Sequence, residues 1–479
     1  MITKIEIDGF KTFENFEMVF TPFVIIAGSN GSGKSNLFDA IKLLSSLAKN
    51  DLKTAFADQR GSYSELFTLY SHDLRAHEMR FAVELFLDAS IKDDFNKEAD
   101  LGHRRLRYEL GISITKDPKL GLERLVVDHE SLRPLKKSTD EWAKKFLSNE
   151  EWHLERGSLN YKPYINTDTK ENVKVINIRQ DGIRGGKPTP VKDLERSVLS
   201  GINDTSFPHA FAVRQEMLNW RQFQLSPIEL SKPSPMLGSN FLDNEGRYLA
   251  GMLKKIDIDD SCALKSISRN VQNILPELKR IFVDEDKARQ QYVLMIESSD
   301  NRVFSANVLS EGTLRIIALC ALKFDHRHKG LICFEEPENG IHPFRMKKIL
   351  DLLKDLSTDF KMEGESEIPL RQVIINTHSP LLVREYKNEK SRYNGALYFA
   401  RLLSKVDVSK NATYKITRLA PVTDTDGNSK RLFLSTSPAE AEITYEEAHE
   451  FLNFYDAENP KDDFLKKCNY LSLFVERAQ

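Results

Sequence analysis

Apolar and polar residues alternate over positions 2–8, with Ile2, Ile5 and Ile7 on the apolar side, which predicts a half-buried strand. A second apolar run, 23–27, ends in a glycine-rich turn and leads into a helical pattern over 36–47. Strand, loop and helix therefore follow in direct succession. Three further strand-like stretches, MRFAVELFL, RRLRYELGISI and LERLVVDH, predict an antiparallel sheet laid beside the first. Positions 131–205 are polar, carry the turn formers Gly182, Gly185, Gly186, Pro188 and Pro190, and read as an insertion without clear periodicity. Helical patterns return at 211–223, 248–255 and 263–281, with a proline-rich break at 226–235 and Pro276 breaking or kinking the last.

From residue 303 the pattern alternates: helix 313–324, strand 331–334, helix 343–356, strand 372–376. Such alternation indicates an α/β lobe with a largely parallel sheet. Beyond Asp426 the chain turns acidic, with no Lys or Arg over 432–460. Tandem repeats and sustained heptads are lacking, which argues against a long coiled coil. The expected plan is an N-terminal lobe with the antiparallel β subdomain (1–130), an insertion, polar and then helical (131–300), a C-terminal lobe (301–425) and an acidic tail (426–479).

With 479 residues there is room for about three structural units. Lys and Arg number 69 against 71 Asp and Glu, a net charge of −2, so a basic surface would have to be local. The four cysteines, Cys262, Cys320, Cys333 and Cys468, form no Cys-x-x-Cys pair and read as reduced cytoplasmic thiols. Charges at Lys4, Glu6 and Asp8 interrupt any export signal, and no apolar run is long enough to span a bilayer. A cytoplasmic protein without membrane contact is expected.

The run Gly28-Ser29-Asn30-Gly31-Ser32-Gly33-Lys34-Ser35 satisfies G-x-x-x-x-G-K-[ST] between a predicted strand and a predicted helix. Its glycines let backbone N–H groups curl around a phosphate, Lys34 adds a point charge, and the Ser35 hydroxyl suits Mg²⁺. Asn36 on the opening helical turn completes the nucleotide-binding set. Four apolar residues, Leu331 to Phe334, run into Glu335-Glu336-Pro337 at the end of a predicted central strand, where ligands collect in parallel sheets. Glu335 is the candidate Mg²⁺ holder and Glu336 the candidate that polarises attacking water. Leu309-Ser310-Glu311-Gly312-Thr313 opens an apolar helix, either as a plain serine N-cap or as a second anion site. His378 ends the apolar strand Val373-Ile374-Ile375-Asn376-Thr377 and is followed by Ser379-Pro380.

In this order the segments resemble the ABC-type ATPases of the SMC, RecF and OLD (overcoming lysogenisation defect) group. ITKIEIDGFKTFENFEMVF is similar to that group's first strand, LSEGT to its signature, ENGIHP to its D-loop and NTHSP to its switch. The WRQFQLSP and EGRYLAGML segments are similar more loosely. The resemblance implies an α/β ABC-type head, RecF-like or SMC-like, with a mixed sheet, an antiparallel β subdomain, an α-helical insertion and no long coiled coil. It further implies that Lys34 and Ser35 bind phosphate and Mg²⁺, Glu335 is the Walker B acid and Glu336 the catalytic glutamate. His378 would sense the γ-phosphate, and Ser310 and Gly312 would reach the ATP of a second subunit. LSEGT in place of LSGGQ, Glu335 in place of Asp, and His342 in place of the D-loop Asp point away from transporters. Gln59, or Arg60 as a positive finger, is the candidate for the Q-loop.

OLD nucleases carry a metal-binding domain after the switch histidine. Here only Asp424-Thr425-Asp426-Gly427 is similar, and it reads as a polar turn, so that domain is expected to be absent. The expected function is a homodimeric or higher-order ATP switch in anti-phage defence, with a separate nuclease or toxin effector as partner and DNA as a further candidate. The alternative is a RecF-like repair ATPase, and a transporter motor is the third. Arg179, Arg184, Lys187 and Lys192 form a candidate phosphate-tracking stretch that reads rather more readily as a solvated loop, His326-Arg327-His328 reads as a solvated helix end, and residues 440–458 read as a docking segment or an exposed amphipathic helix.

Overall fold

The computed structural model describes residues 1–116, 121–147, 162–170, 173–180, 184–191, 194–360, 370–388, 395–423, 443–444 and 448. The chain opens with β1 (Ile2–Asp8), β2 (Phe16–Val19) and β3 (Phe23–Ala27), then α1 (Lys34–Leu47) and α2 (Leu52–Ala57). Next come β4 (Glu78–Phe86), a small hairpin of β5 (Ser90–Lys92) and β6 (Glu98–Asp100), β7 (Arg105–Lys116), β8 (Glu123–Pro134) and α3 (Glu141–Phe146). The polar stretch after them contains β9 (Ile165–Lys170), β10 (Val173–Gln180) and β11 (Arg184–Pro190). A middle segment follows with α4 (Pro208–Leu218), β12 (Arg221–Phe223), α5 (Pro227–Ser231), β13 (Ser234–Pro235), α6 (Leu249–Asp259), α7 (Ala263–Ile274), β14 (Leu278–Asp286), β15 (Gln291–Ser298) and β16 (Val303–Ser305). The last part comprises α8 (Glu311–Phe324), β17 (Gly330–Glu335), α9 (Met346–Asp355), β18 (Arg371–Thr377), α10 (Pro380–Asn388), β19 (Gly395–Asp407), β20 (Ala412–Thr423) and β21 (Ile443–Thr444).

Two large sheets organise most of these elements, beside a four-stranded sheet of β13 to β16 and the β5/β6 hairpin. An eight-stranded antiparallel sheet runs β11-β10-β9-β8-β7-β4-β1-β2, and a seven-stranded mixed sheet runs β12-β17-β18-β3-β19-β20-β21. From β12 through β19 the second sheet is parallel, and it turns antiparallel at the β19/β20 hairpin. Val24, Ile26, Leu331, Cys333 and Ile374 face a core shared with the antiparallel sheet, α1 and α4. Their neighbours Phe23, Ile25, Ile332, Phe334, Val373 and Ile375 face a second core under α6 to α10. Burial on both faces is why β3, β17 and β18 are continuous apolar runs rather than alternating ones.

The mixed α/β class expected from sequence is the one observed, and α1 and α8, at 14 residues each, are the longest helices among the described residues. One local expectation is corrected, and two stretches left open are filled in. The polar insertion carries β9, β10 and β11, whose buried Val175, Ile176 and Ile178 extend the antiparallel sheet. The helical pattern over 211–223 ends at Leu218, because Arg221, Gln222 and Phe223 pair in parallel with Ile332, Cys333 and Phe334; tertiary pairing overrides the local period. Pro276, expected to break or kink the pattern over 263–281, does end it: the helix stops at Ile274, and the segment after Pro276 is strand β14. Among the described residues no helix is long and apolar enough to cross a membrane.

Candidate functional site

β3, β17 and β18 all end on one edge of the mixed sheet, and the loop after each carries the expected chemistry. After β3, residues 28–33 turn tightly into α1, whose N-terminus has no side-chain cap. Gly33 has φ +92°, and a Cβ there would lie 1.9 Å from Thr417 Oγ1 on β20, so only glycine fits. The same Thr417 hydroxyl lies 2.6 Å from Thr12 Oγ1 and 3.3 Å from the Ser32 carbonyl. Gly31, by contrast, faces open space, and Ser29 and Asn30 form the rim. Asn36 turns its amide to Thr12 Oγ1 at 2.8 Å. Lys34 Nζ donates to the carbonyls of Gly28 (2.7 Å) and Ser29 (2.8 Å). Burial pulls the Lys34 ammonium down to about 8, opposed by the charges of Glu336 and Glu338.

At the end of β17, Glu335 Oε1 accepts from Gln222 Nε2 on β12 at 2.6 Å. Glu336 follows with φ +47°, a left-handed backbone that a non-glycine residue adopts only under constraint from its surroundings. Its N–H donates to the Asn376 carbonyl at 2.8 Å. His378 Nδ1 lies 2.8 Å from Glu336 Oε1, and Asn339 Nδ2 donates to Glu336 Oε2 at 2.6 Å. One carboxylate thus lies between the histidine that follows β18 and an amide from its own turn. Glu338, buried in the same turn, accepts from Thr377 Oγ1, and burial pushes its carboxyl up to about 6.

Ser310 is the N-cap of α8, accepting the Thr313 N–H at 3.3 Å, and is otherwise exposed. Gly312 packs so closely on the acidic turn that a Cβ would lie 2.3 Å from the Gly340 carbonyl. Arg315, one turn on, donates to the Asn339 carbonyl. α8 is therefore fastened to the loop that carries Glu336. Gln59 is buried at the end of α2 with its amide on the Ala55 carbonyl, and Arg60 is exposed. Gln222 is the glutamine that meets an acidic strand end.

A family described as "AAA domain, putative AbiEii toxin, Type IV TA system" matches residues 23–384, more than half of the chain. The chain belongs to that AAA domain family. No curated protein matches the sequence. Among solved structures the chain is similar to an Smc head bound to the C-winged helix domain of ScpA, with 15% identity and TM-score 0.45 over 87% of this chain and 98% of that one. It is also similar to the SMC head domain from Thermotoga maritima (12%, TM-score 0.36, covering 88% and 99%). A third is the Smc head domain with a coiled coil and joint from Pyrococcus yayanosii (11%, TM-score 0.42, covering 95% and 99%).

Membership of this P-loop ATPase family implies nucleotide binding, and the loop fits it. Among the described residues Ser32 Oγ is buried without a partner, α1 presents uncapped N–H groups, and Lys34 donates hydrogen bonds to loop carbonyls that a phosphate would replace. For Mg²⁺ the protein offers Ser35 and Glu335, and a cation that keeps several waters and binds phosphate oxygens needs no larger set. Gln222, Thr12, Thr377 and Glu338 lie inside segments singled out in the sequence but received no role there, and Thr417 lies outside all of them. WRQFQLSP drew attention to Gln222 only by resemblance, because its partner is set by strand pairing. Asp424, Asp426, Lys192, the side chains of Arg184 and Lys187, and nearly all of 440–458 lie outside the described residues, and Arg179 donates to the Pro163 carbonyl at 3.3 Å.

Proposed function

We propose that this AAA domain protein is an ATP-hydrolysing switch: two copies close on two nucleotides, and turnover reopens them to control a separately encoded nuclease or toxin in anti-phage defence. The observation that carries this reading is the Glu336 carboxylate held between His378 and Asn339, at the strand edge shared with Lys34. Phosphates entering the loop take Lys34 from the Gly28 and Ser29 carbonyls and satisfy the N–H groups of α1. Glu336 then accepts the proton of the attacking water, while His378 keeps the carboxylate oriented. Mg²⁺ held by Ser35 and Glu335 would supply charge neutralisation at the phosphates. Exposed Ser310 at the start of α8 would complete the site of a second copy, and closing it would strengthen every dipole inside.

The defence assignment draws on the toxin–antitoxin wording of the family description and on the OLD-like LSEGT and NTHSP segments. A RecF-like repair ATPase would use the same site and is told apart by stimulation of turnover with DNA ends. The test mixes Lys34→Ala and Ser310→Arg subunits, each inactive alone. Recovered ATP turnover in the mixture supports a site shared between copies. Absence of recovery in demonstrated heterodimers rejects it, and absence of turnover in the unmodified chain rejects the ATPase reading.

A further inference from the structure

Besides the backbone bond from the Glu336 N–H to the Asn376 carbonyl, two side-chain contacts fasten the acidic turn after β17 to the end of β18. One fastening is His378 to Glu336, between side chains 35% and 32% exposed. The other is hidden: Thr377 Oγ1 donates to Glu338 Oε1, with Thr377 at 0% and Glu338 at 5% exposure. The Thr377 hydroxyl also accepts the Ser379 N–H at 2.9 Å, so it ties the residues on both sides of His378. On the other strand the Glu338 carbonyl accepts the Ile341 N–H at 3.0 Å, closing the turn that presents Asn339 to Glu336. Glu338 Oε2 is buried with no hydrogen-bond partner among the described residues, and the side chain lines a cavity of about 460 Å³ with Asn339, Gly340, His378, Ser379 and Arg384.

A buried carboxyl oxygen without a partner is costly, so packing alone gives no reason for a glutamate here. The turn does need an anchor, since Glu336 sits at φ +47° and holds that conformation only where its neighbours over-determine it. Beside the Glu336 N–H bond to Asn376, Glu338, two residues on, adds a side-chain anchor to Thr377, the last residue of β18.

We infer that Glu338 and Thr377 are positioning residues for hydrolysis: their buried hydrogen bond keeps His378 and Glu336 in register, so that the switch strand and the acidic turn move as one piece. The inference rests on the ATPase reading above. Neither residue is assigned contact with the phosphates; both act through His378 and Glu336.

The experiment compares steady-state ATP turnover with binding of a fluorescent ATP analogue. Thr377→Val, which keeps shape and removes the hydroxyl, lowers kcat by roughly 10- to 100-fold with little change in nucleotide affinity. Thr377→Ser restores most of the rate, and Glu338→Gln, whose amide oxygen still accepts from Thr377, loses less than Glu338→Leu. In a His378→Ala background, Thr377→Val adds little further loss, because the group it positions is gone. Wild-type rates in Thr377→Val, losses that multiply with His378→Ala, or a fall in nucleotide affinity matching the fall in rate would overturn the inference while leaving the ATPase reading intact. Absence of turnover in the unmodified chain overturns both.

Discussion

In the mixed sheet, β3, β17 and β18 are covered on both faces, whereas β1, β4 and β7 of the antiparallel sheet are covered on one face and carry charge on the other. Lys4, Glu84, Arg107 and Arg133 stand in one row across β1, β4, β7 and β8. Arg107 alone reaches Glu6 at 2.6 Å, Glu84 at 3.3 Å and Glu109 at 2.6 Å. These charges compensate one another within the sheet. In β3, β17 and β18 polar groups have no exposed face to occupy, so they gather where the strands stop, at Glu335, Glu336, Thr377 and His378. The contrast teaches why chemistry concentrates at one edge of a buried parallel sheet and disperses over a half-exposed antiparallel one.

The contrast breaks most sharply at Glu336. Glu336→Gln keeps size but replaces one accepting oxygen by a donor NH2 and loses the proton acceptor, and turnover should fall roughly 10²- to 10⁴-fold with nucleotide still bound. A phosphate-release assay beside a binding titration checks this, and turnover near the unmodified rate would place the base elsewhere. Next in size is Gly33→Ala, which collides with Thr417 and forces alanine to φ +92°. Nucleotide affinity should drop at least about tenfold, from strain and displaced loop N–H groups; calorimetric titration measures it, and unchanged affinity would show that the β20 contact is dispensable.

The antiparallel sheet should answer in stability instead. Glu130 on β8 is fully buried and accepts N–H bonds from Val198 (2.6 Å) and Leu199 (2.9 Å) and the Tyr108 hydroxyl (3.0 Å), yet burial still pushes its carboxyl up to about 7. A carboxyl with a raised folded pKa binds its proton more tightly when folded, so its contribution is fully present below about 4.5 and is lost as pH rises towards 7. Urea unfolding should show a loss on the order of 2–3 kcal/mol across that window, and Glu130→Gln should flatten it. An unchanged slope in that variant would assign the titration to another group. Smallest is Arg107→Met, within about 1 kcal/mol on unfolding, because partly exposed pairs are weak. ATP turnover should stay at the unmodified level, and a fall in rate would mean that the charge lattice communicates with the strand edge.

Local sequence carried the phosphate loop, the Glu335–Glu336 pair, Ser310 and His378 because each follows from a few adjacent residues: glycines before a helix, carboxylates after an apolar run, serine at a helix start. The expected helices and strands of the mixed sheet agree with the structure to within a few residues for the same reason. Nothing local marks β10, whose Val175, Ile176 and Ile178 are buried but flanked by Lys174 and Asn177. Nor does the helical period through Trp220 announce a strand, since Gln222 reaches Glu335 only because β12 pairs with β17.

By itself the sequence determined which groups are available: a glycine-rich turn before a helix, two carboxylates, a histidine after an apolar strand, and apolar runs long enough to bury the strands that end in them. Tertiary structure alone decided their company. It set Thr417, nearly four hundred residues along the chain, against Gly33, hung Glu338 from Thr377, and drew Lys34 into the field of Glu336 and Glu338. Those pairings depend on the order and register of strands, and register is settled by the whole buried face of a sheet rather than by any neighbourhood of the chain.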